Sequence, residues 1–267
     1  MADRQLEGRA ALITGAASGI GRAAAHAFAD AGAALVLTDL SGVVEEVAEA
    51  VRHAGGRAVA LVGDSGREAD VAGAVQRAMA EYGRLDACFA NAGIGGTLRP
   101  LLDQDVEEWT EVLRVDLIGV FLAVKHAAMV MIDAGGGSIV CTASVAGLAS
   151  GAAAAPYSAA KAGVVNLAKL AANDLAGTGV RVNAICPGLI ETGMTRPWFD
   201  AARARGTVDR IGQLNPLRRH GNPEEIAAVA VFLASDAASY VNGQAIAVDG
   251  GLTSSMPIVP PRPKAAR

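Results

Sequence analysis

Residues 9–14, Arg-Ala-Ala-Leu-Ile-Thr, form a short apolar run that stops at Gly15. The chain then reads Ala16-Ala17-Ser18-Gly19-Ile20-Gly21 before a helical stretch over 22–31 that is closed by Gly32. A strand that enters a glycine turn and leaves it as a helix makes an anion site. Backbone N–H groups point outward at the helix start, the helix dipole adds partial positive charge, and the missing Cβ atoms admit a pyrophosphate. A plain glycine-rich turn satisfies the same spacing, so the motif needs its context. The next apolar run, 33–38, ends at Asp39. A carboxylate at the tip of a second strand is placed to accept hydrogen bonds from adenosine ribose hydroxyls, and it repels a 2′-phosphate. A basic residue at Ser18 or Leu40 would suit NADP, and neither position is basic. Arg22 is the nearby cation that argues the other way, and the balance favours NAD.

The alternation continues along the chain. A helix over 43–53 stops at Gly55-Gly56, and a strand over 58–62 ends at Gly63-Asp64. Asp64 is either a turn residue or a contact for an adenine amino group. Ser65-Gly66-Arg67-Glu68 has the spacing of a capping box for a helix running to about Tyr82. A strand over 85–90 leads into Asn91-Ala92-Gly93, where Asn91 caps a turn, ties the central strands together, or does both. Asp105-Val106-Glu107-Glu108 caps a helical region whose apolar pattern runs to Ile132, with Asp116 near its middle. A strand over 138–142 delivers Ser144 at its carboxyl end. Pro156 opens a helix that reaches about Ala176, and 180–185 is a buried strand ending in Cys186-Pro187-Gly188.

Residues 189–215 read as a mixed, loop-like lid over a cleft. Its Trp198-Phe199 pair either packs on the lid's own base or touches substrate. Asn222-Pro223-Glu224-Glu225 opens the last helix, and a strand over 245–248 ends at Asp249. With no polar linker and no repeat at solenoid periods, the pattern predicts one doubly wound α/β domain over 1–267 with about seven parallel strands.

Composition narrows the class further. In 267 residues, 52% hydrophobic and 19% charged, there is ample material for one large core. A net charge of −4 with no basic stripe argues against a nucleic-acid or anionic-membrane surface. The uncharged run over 134–160 is broken by glycines and Pro156, which predicts a buried strand plus loop rather than a membrane span. The start of the chain carries charge and no apolar signal core, so a cytoplasmic location is expected. Cys88, Cys141 and Cys186 each lie in a strand-like run without C-x-x-C spacing, as buried free thiols of a reducing compartment would. His26, His53, His126 and His220 share no ligand spacing, and no metal site is expected. Residues 253–267, proline-rich and basic from Pro257 on, are expected to form a terminal arm.

The stretch with the densest chemistry runs from Ser144 to Lys161. Tyr157 and Lys161, four apart on a predicted helix, project from one face. An ordinary tyrosine, with a pKa of about 10, is a poor acid–base group near neutral pH. A nearby lysine ammonium favours the phenolate, and Ser144 offers a hydroxyl to the same substrate oxygen. Y-x-x-x-K alone is a common pattern. Its weight comes from the glycine turn and acidic strand tip upstream.

Together these residues resemble the short-chain dehydrogenase/reductase family over about residues 6–252. The likeness rests on T-G-x-x-x-G-x-G at 14–21, Asp39, Asp64, N-A-G at 91–93, Ser144, Y-x-x-x-K at 157–161, and Pro187-Gly188 with Thr192. Length and glycine spacing are similar to the shorter members, not to the extended sugar epimerases and dehydratases. The resemblance implies a Rossmann-type sheet with NAD along Gly15, Ser18, Gly19, Ile20, Gly21, Asp39, Leu40, Asp64, Ser65, Asn91, Ala92 and Gly93. It also implies a nicotinamide half at Tyr157, Lys161, Pro187, Gly188, Ile190 and Thr192. The implied reaction interconverts a secondary alcohol and its ketone. Tyr157 moves the hydroxyl proton, Ser144 fixes the substrate oxygen, and Lys161 tunes the tyrosine and binds the nicotinamide ribose.

The implied partners are a small-molecule alcohol or ketone and, in a homotetramer, further copies of the chain through helices over 110–132 and 156–176. No nucleic acid and no membrane is expected. Ala159, Ala162 and Ala172 suit either close helix contact between copies or packing on the sheet. Val145, Leu148, Met194, Trp198 and Phe199 favour a bulky, uncharged or cyclic alcohol. The alternatives are a 3-oxoacyl-thioester reductase of the family, commonly NADP-linked, and a nucleotide-binding sensor without turnover.

Asp116 departs from the family pattern, which commonly has asparagine there to complete a Ser-Tyr-Lys tetrad. A carboxylate beside Lys161 should raise the apparent pKa of the lysine–tyrosine unit. That predicts a more alkaline oxidation optimum than in Asp116→Asn; a side chain with only a local hydrogen bond is the alternative.

Overall fold

Ala11, Ile13, Leu35 and Leu37 face one side of a sheet while Leu12 and Val36 face the other, so the strands need cover on both faces. The computed structural model, which describes residues 4–255, shows how the chain supplies that cover. The order is β1 (Ala10–Thr14), α1 (Gly19–Asp30), β2 (Ala34–Asp39), α2 (Val44–His53), β3 (Arg57–Val62), α3 (Glu68–Tyr82) and β4 (Ala87–Ala90). Then come α4 (Val106–Leu113), α5 (Gly119–Asp133), β5 (Gly137–Thr142), α6 (Ala155–Asp174) and β6 (Val180–Pro187). The chain closes with α7 (Arg196–Ala204), α8 (Pro223–Ala234) and β7 (Ala245–Val248). Seven strands form one sheet in the order β3-β2-β1-β4-β5-β6-β7, and every pairing is parallel.

One core layer packs α1, α2 and α8 on the sheet, and Phe28 stacks on Phe89 with ring centroids 6.4 Å apart. The other layer packs α3, α5 and α6, and includes Cys88, Cys141 and Cys186 as free thiols. Each fully buried Leu, Ile or Phe in these layers contributes about 1.5–3 kcal/mol. Burial pushes the Cys141 thiol up to about 12, so it stays protonated. The run over 134–160 is β5 and its following loop, as expected.

Several local expectations are corrected. Helix α1 starts at Gly19 rather than residue 22, because Ser18 takes extended backbone and becomes the N-cap. Ser65 does not cap α3: the cap position is Arg67, and the Asp64 and Asp70 carboxylates take the local N–H groups of Gly66 and Asp64 instead. Glu68 turns away to Lys125 and His126. Asp105 does cap α4, accepting the Glu108 N–H at 2.8 Å. The helical region beyond it is interrupted by a π-helical turn at Arg114–Ile118, between α4 and α5.

The lid is only partly loop, since α7 lies inside it with a proline in its first turn. Asn222 takes the expected N-cap position of α8 with a proline in the first turn, and the Glu225 carboxylate accepts the Asn222 N–H at 2.8 Å. Strand β6 runs on to Pro187, beyond the expected end at 185. The proline-rich part of the expected terminal arm, 256–267, lies outside the described residues.

By length and apolarity the continuous rod Val106–Asp133 is able to cross a membrane, but 56% of its apolar window is buried in the protein. It reads as a core helix.

Candidate active site

From β1 the chain winds to β2 and β3, and from β4 it winds the opposite way to β5, β6 and β7. Loops leaving β1 and β4 therefore diverge and open a crevice at the carboxyl ends of the strands. A cleft of about 610 Å³ lies there. It is lined by Gly15, Ser18, Gly19, Ile20, Asp39, Leu40, Asp64, Ser65, Asn91, Ala92 and Gly93. Ser144, Tyr157, Lys161, Pro187, Gly188, Ile190 and Thr192 line it as well. Of the residues singled out in the sequence for cofactor or chemistry, Gly21 and Asp116 do not line it. Gly21 supports the turn from behind, where a Cβ would stand 2.0 Å from the Gly15 carbonyl oxygen. Gly15 itself has φ 67°, and a Cβ there would meet Ala92 Cα at 2.8 Å.

These features fit a dinucleotide. The Gly15 turn brings bare backbone to the cleft wall, and Ser18 caps α1 without a side-chain bond to its first-turn N–H groups. At the far end, Asp39 accepts the Ala17 N–H at 3.0 Å and the Ser41 N–H at 2.8 Å, which pins the carboxylate at the tip of β2. Asn91 ties the middle strands: its Nδ2 donates to the Thr14 carbonyl at 3.1 Å, and its Oδ1 accepts from Thr142 Oγ1 at 3.1 Å. Asn91→Ala leaves both partners unsatisfied, each at a cost of about 1–3 kcal/mol. The expected result is a clear drop in the midpoint of denaturant unfolding together with weaker nucleotide binding by titration calorimetry; an unchanged midpoint would contradict it.

At the chemical end, Ser144 follows β5 and its Oγ accepts the Ala146 N–H at 3.1 Å. That contact uses a lone pair and leaves the hydroxyl proton for a ligand. Lys161 Nζ lies 5.5 Å from the Tyr157 ring centroid and donates to the Thr142 carbonyl at 2.9 Å. Asp116 Oδ2 stands 3.2 Å from the same Nζ, with side-chain exposures of 0% for Asp116 and 2% for Lys161. Burial works against the Lys161 charge, but Asp116 and Tyr157 outweigh it and hold the ammonium above the ordinary lysine value. Burial pushes the Asp116 carboxyl up, with Lys161 and the Ile94 N–H pulling the other way. Asp116 was expected among the catalytic residues; it lies behind Lys161 and reaches the cleft only through it.

The sequence reading missed Arg114, which lines the cleft beside Asp64. Its Nη1 is 2.9 Å from Asp64 Oδ2, and its Nε donates to Glu111 at 2.8 Å. Glu111, with help from Asp64, holds the guanidinium above its ordinary value against desolvation. Asp64 thus both shapes a turn, through the Gly66 N–H, and faces the cleft. The signal was a lone arginine inside an apolar helical run. Of the apolar side chains expected around substrate, Met194 lines the cleft, whereas Val145, Leu148, Trp198 and Phe199 do not. Phe199 is buried on the lid's base, edge-on to His220 with centroids 4.9 Å apart.

Residues 15–253 match a family model described as enoyl-(acyl carrier protein) reductase. The chain is 45% identical over 246 residues to the cis-4-hydroxycyclohexanecarboxylate dehydrogenase of Sinomonas cyclohexanicum, covering 92% of this chain and 97% of that one. It is 41% identical over 254 residues to a 3-oxoacyl-(acyl-carrier-protein) reductase of Thermotoga maritima, covering 93% and 99% respectively. A crystal structure of a gluconate 5-dehydrogenase from Burkholderia cenocepacia, in complex with NADP and tartrate, aligns with a TM-score of 0.88 at 36% identity, covering 95% of this chain and 98% of that one. Likeness that runs nearly end to end, in sequence and in fold, makes this chain a member of the short-chain dehydrogenase/reductase family, oxidoreductases that use a nicotinamide cofactor.

Proposed function

We propose that the chain is an NAD-linked dehydrogenase or ketone reductase for an uncharged secondary alcohol, with Ser144, Tyr157 and Lys161 as its catalytic residues. The observation that carries this reading is that all three side chains line the cleft that also holds the glycine turn and Asp39. Ser144 donates its hydroxyl proton to the substrate oxygen and fixes its position. Tyr157 takes the proton from that oxygen in oxidation and returns it in reduction. Lys161, anchored on the Thr142 carbonyl, places positive charge beside the phenol and offers its remaining N–H groups to a ribose. A nicotinamide bound along the glycine turn supplies the hydride acceptor and donor. The chain's part is placement and charge.

Asp39 supports NAD. A 2′-phosphate at the tip of β2 would meet a like charge, and among the described residues none of the cleft's cations is free to receive it. Arg114 is engaged by Asp64 and Glu111, Lys161 by Asp116, and Arg22 lies outside this cleft. Like-charge juxtaposition costs several kcal/mol, so kcat/KM is expected to favour NAD over NADP by about 100-fold or more. Asp39→Ser should cut that ratio at least about tenfold, mainly through a lower KM for NADP. A preference unchanged in the variant would mean that discrimination lies elsewhere.

The same shortage of free cations supports an uncharged substrate, because a carboxylate in the cleft would find no unpaired cation among the described residues lining it. Ile94 and Met194 at the substrate end are apolar and half-exposed. Assembly as a homotetramer through the α4–α5 rod and α6 is supported by exposed Ile118, Phe121, Met129, Ile132 and Leu170 on those helices. Ala159 and Ala162 are also exposed there, while Ala172 packs inward. Three buried free thiols suit the reducing cytoplasm.

The test is initial rates with NAD and with NADP over a panel of aliphatic, cyclic and aromatic secondary alcohols, a carboxylated ring alcohol, and a 3-oxoacyl thioester in the reverse direction. NAD-dependent turnover, best with neutral ring alcohols, is expected. NADP-linked turnover of the thioester would establish the thioester reductase instead. Nucleotide binding without turnover of any of them would indicate a sensor.

A further inference from the structure

Asp116 reaches the interior through the π-helical turn at Arg114–Ile118, and its carboxylate is fully buried. Oδ1 accepts the Ile94 N–H at 2.8 Å. Oδ2 faces Lys161 Nζ at 3.2 Å and is a buried side-chain atom without a hydrogen bond. Gly93, itself in the cleft wall, packs against this pair: a Cβ there would lie 3.0 Å from Oδ2 and 3.3 Å from Nζ. Asp116 therefore sits one layer behind Lys161 and does not line the cleft.

Three titratable groups face Lys161: Tyr157 on its own helix, Asp116 from the π turn, and Cys141 from β5. Cys141 is kept a neutral thiol by burial. Asp116 is thus the group that balances the ammonium at neutral pH. An unbalanced ammonium would present a full positive charge to the Tyr157 oxygen; the ion pair presents a much weaker field.

We infer that Asp116 is a positioning residue, acting through Lys161, that keeps the site in its proton-donating form across neutral pH and so suits it to ketone reduction there. The inference rests on the dehydrogenase reading above. In reduction the ketone oxygen takes its proton from the Tyr157 hydroxyl, which water then restores, while the hydride comes from the reduced nicotinamide. Oxidation needs the deprotonated site and is deferred to alkaline pH.

The test uses Asp116→Asn, which keeps an acceptor for the Ile94 N–H, and Asp116→Ser as a smaller neutral substitute. Tyrosinate absorbance of the cofactor-free protein is titrated, with Tyr157→Phe backgrounds subtracted to isolate one of the three tyrosines. The absorbance midpoint should lie lower in the neutral variants than in the wild type. The acid limb of the oxidation profile and the basic limb of the reduction profile should move down with it. A merely structural role would lower rates and leave the midpoint and both limbs in place, which would overturn the inference. Unmoved limbs in an enzyme that does oxidise alcohols with NAD would overturn it while leaving the proposed function standing. A shifted midpoint in a protein with no turnover would support the electrostatic role and count against the proposed function instead.

Discussion

Tyr157→Phe is expected to lower kcat/KM for alcohol oxidation by about 10²–10⁴-fold, the range for loss of a positioned acid–base group. The variant removes one oxygen from a half-buried side chain and leaves the ring to pack where it does. Nucleotide affinity and the unfolding midpoint should stay close to wild type, because the glycine turn, Asp39 and the Asn91 ties are untouched. Loss of activity together with loss of fold would mean that the hydroxyl was structural. Residual activity within about tenfold of wild type would move the proton transfer to another group.

Lys161→Met carries the second large effect. It strips the partner from a fully buried carboxylate, and breaking a buried pair in this way costs about 3–5 kcal/mol. Activity should vanish as well, so stability provides the separate reading. In the variant, Asp116 loses the ammonium that pulls its carboxyl down, and burial then raises it further. A carboxyl whose folded pKa is raised above its unfolded value favours the folded state only while protonated. Stability is therefore lost as pH climbs above the unfolded value of about 4, by up to about 1.4 kcal/mol per unit, until the folded pKa is reached. Denaturant midpoints of Lys161→Met should fall further below wild type at pH 8 than at pH 5. Adding Asp116→Leu should restore much of the stability, remove that pH dependence, and restore no activity. A single variant as stable as wild type at both pH values would show that the pair carries little.

The parts of the fold legible in the sequence were those fixed by short-range chemistry. The glycine turn, Asp39 at the tip of β2, and the Asn222 cap of α8 each depend on residues within a few positions of one another, and the structure places them as expected. Ser65 misleads because a capping box is only a spacing: the Asp64 carboxylate holds a turn at the Gly66 N–H, the helix starts after Arg67, and Ser65 is left outside it. The π turn was invisible, since one extra residue per turn leaves the apolar count of the rod almost unchanged.

Arg114 is hidden for a different reason: its partner Asp64 is fifty residues away in the chain and only the fold brings them within 2.9 Å. Trp198 and Phe199 illustrate another limit. Neighbours on a helix point in directions about 100° apart, so α7 buries Phe199 on His220 and turns Trp198 outward. The sequence held both residues but not the rotation of the helix that carries them.

In the proposed function this chain moves hydride between an uncharged secondary alcohol and NAD, with Tyr157 handling the proton. The most direct measurement follows a deuterium label placed on the carbinol carbon of cyclohexanol, with NAD and either the wild type or Tyr157→Phe. The account predicts deuterium at C4 of the reduced nicotinamide formed by the wild type, with transfer all but lost in the variant. Absence of the label from nicotinamide despite measurable NAD binding, or equal transfer by both proteins, would contradict it.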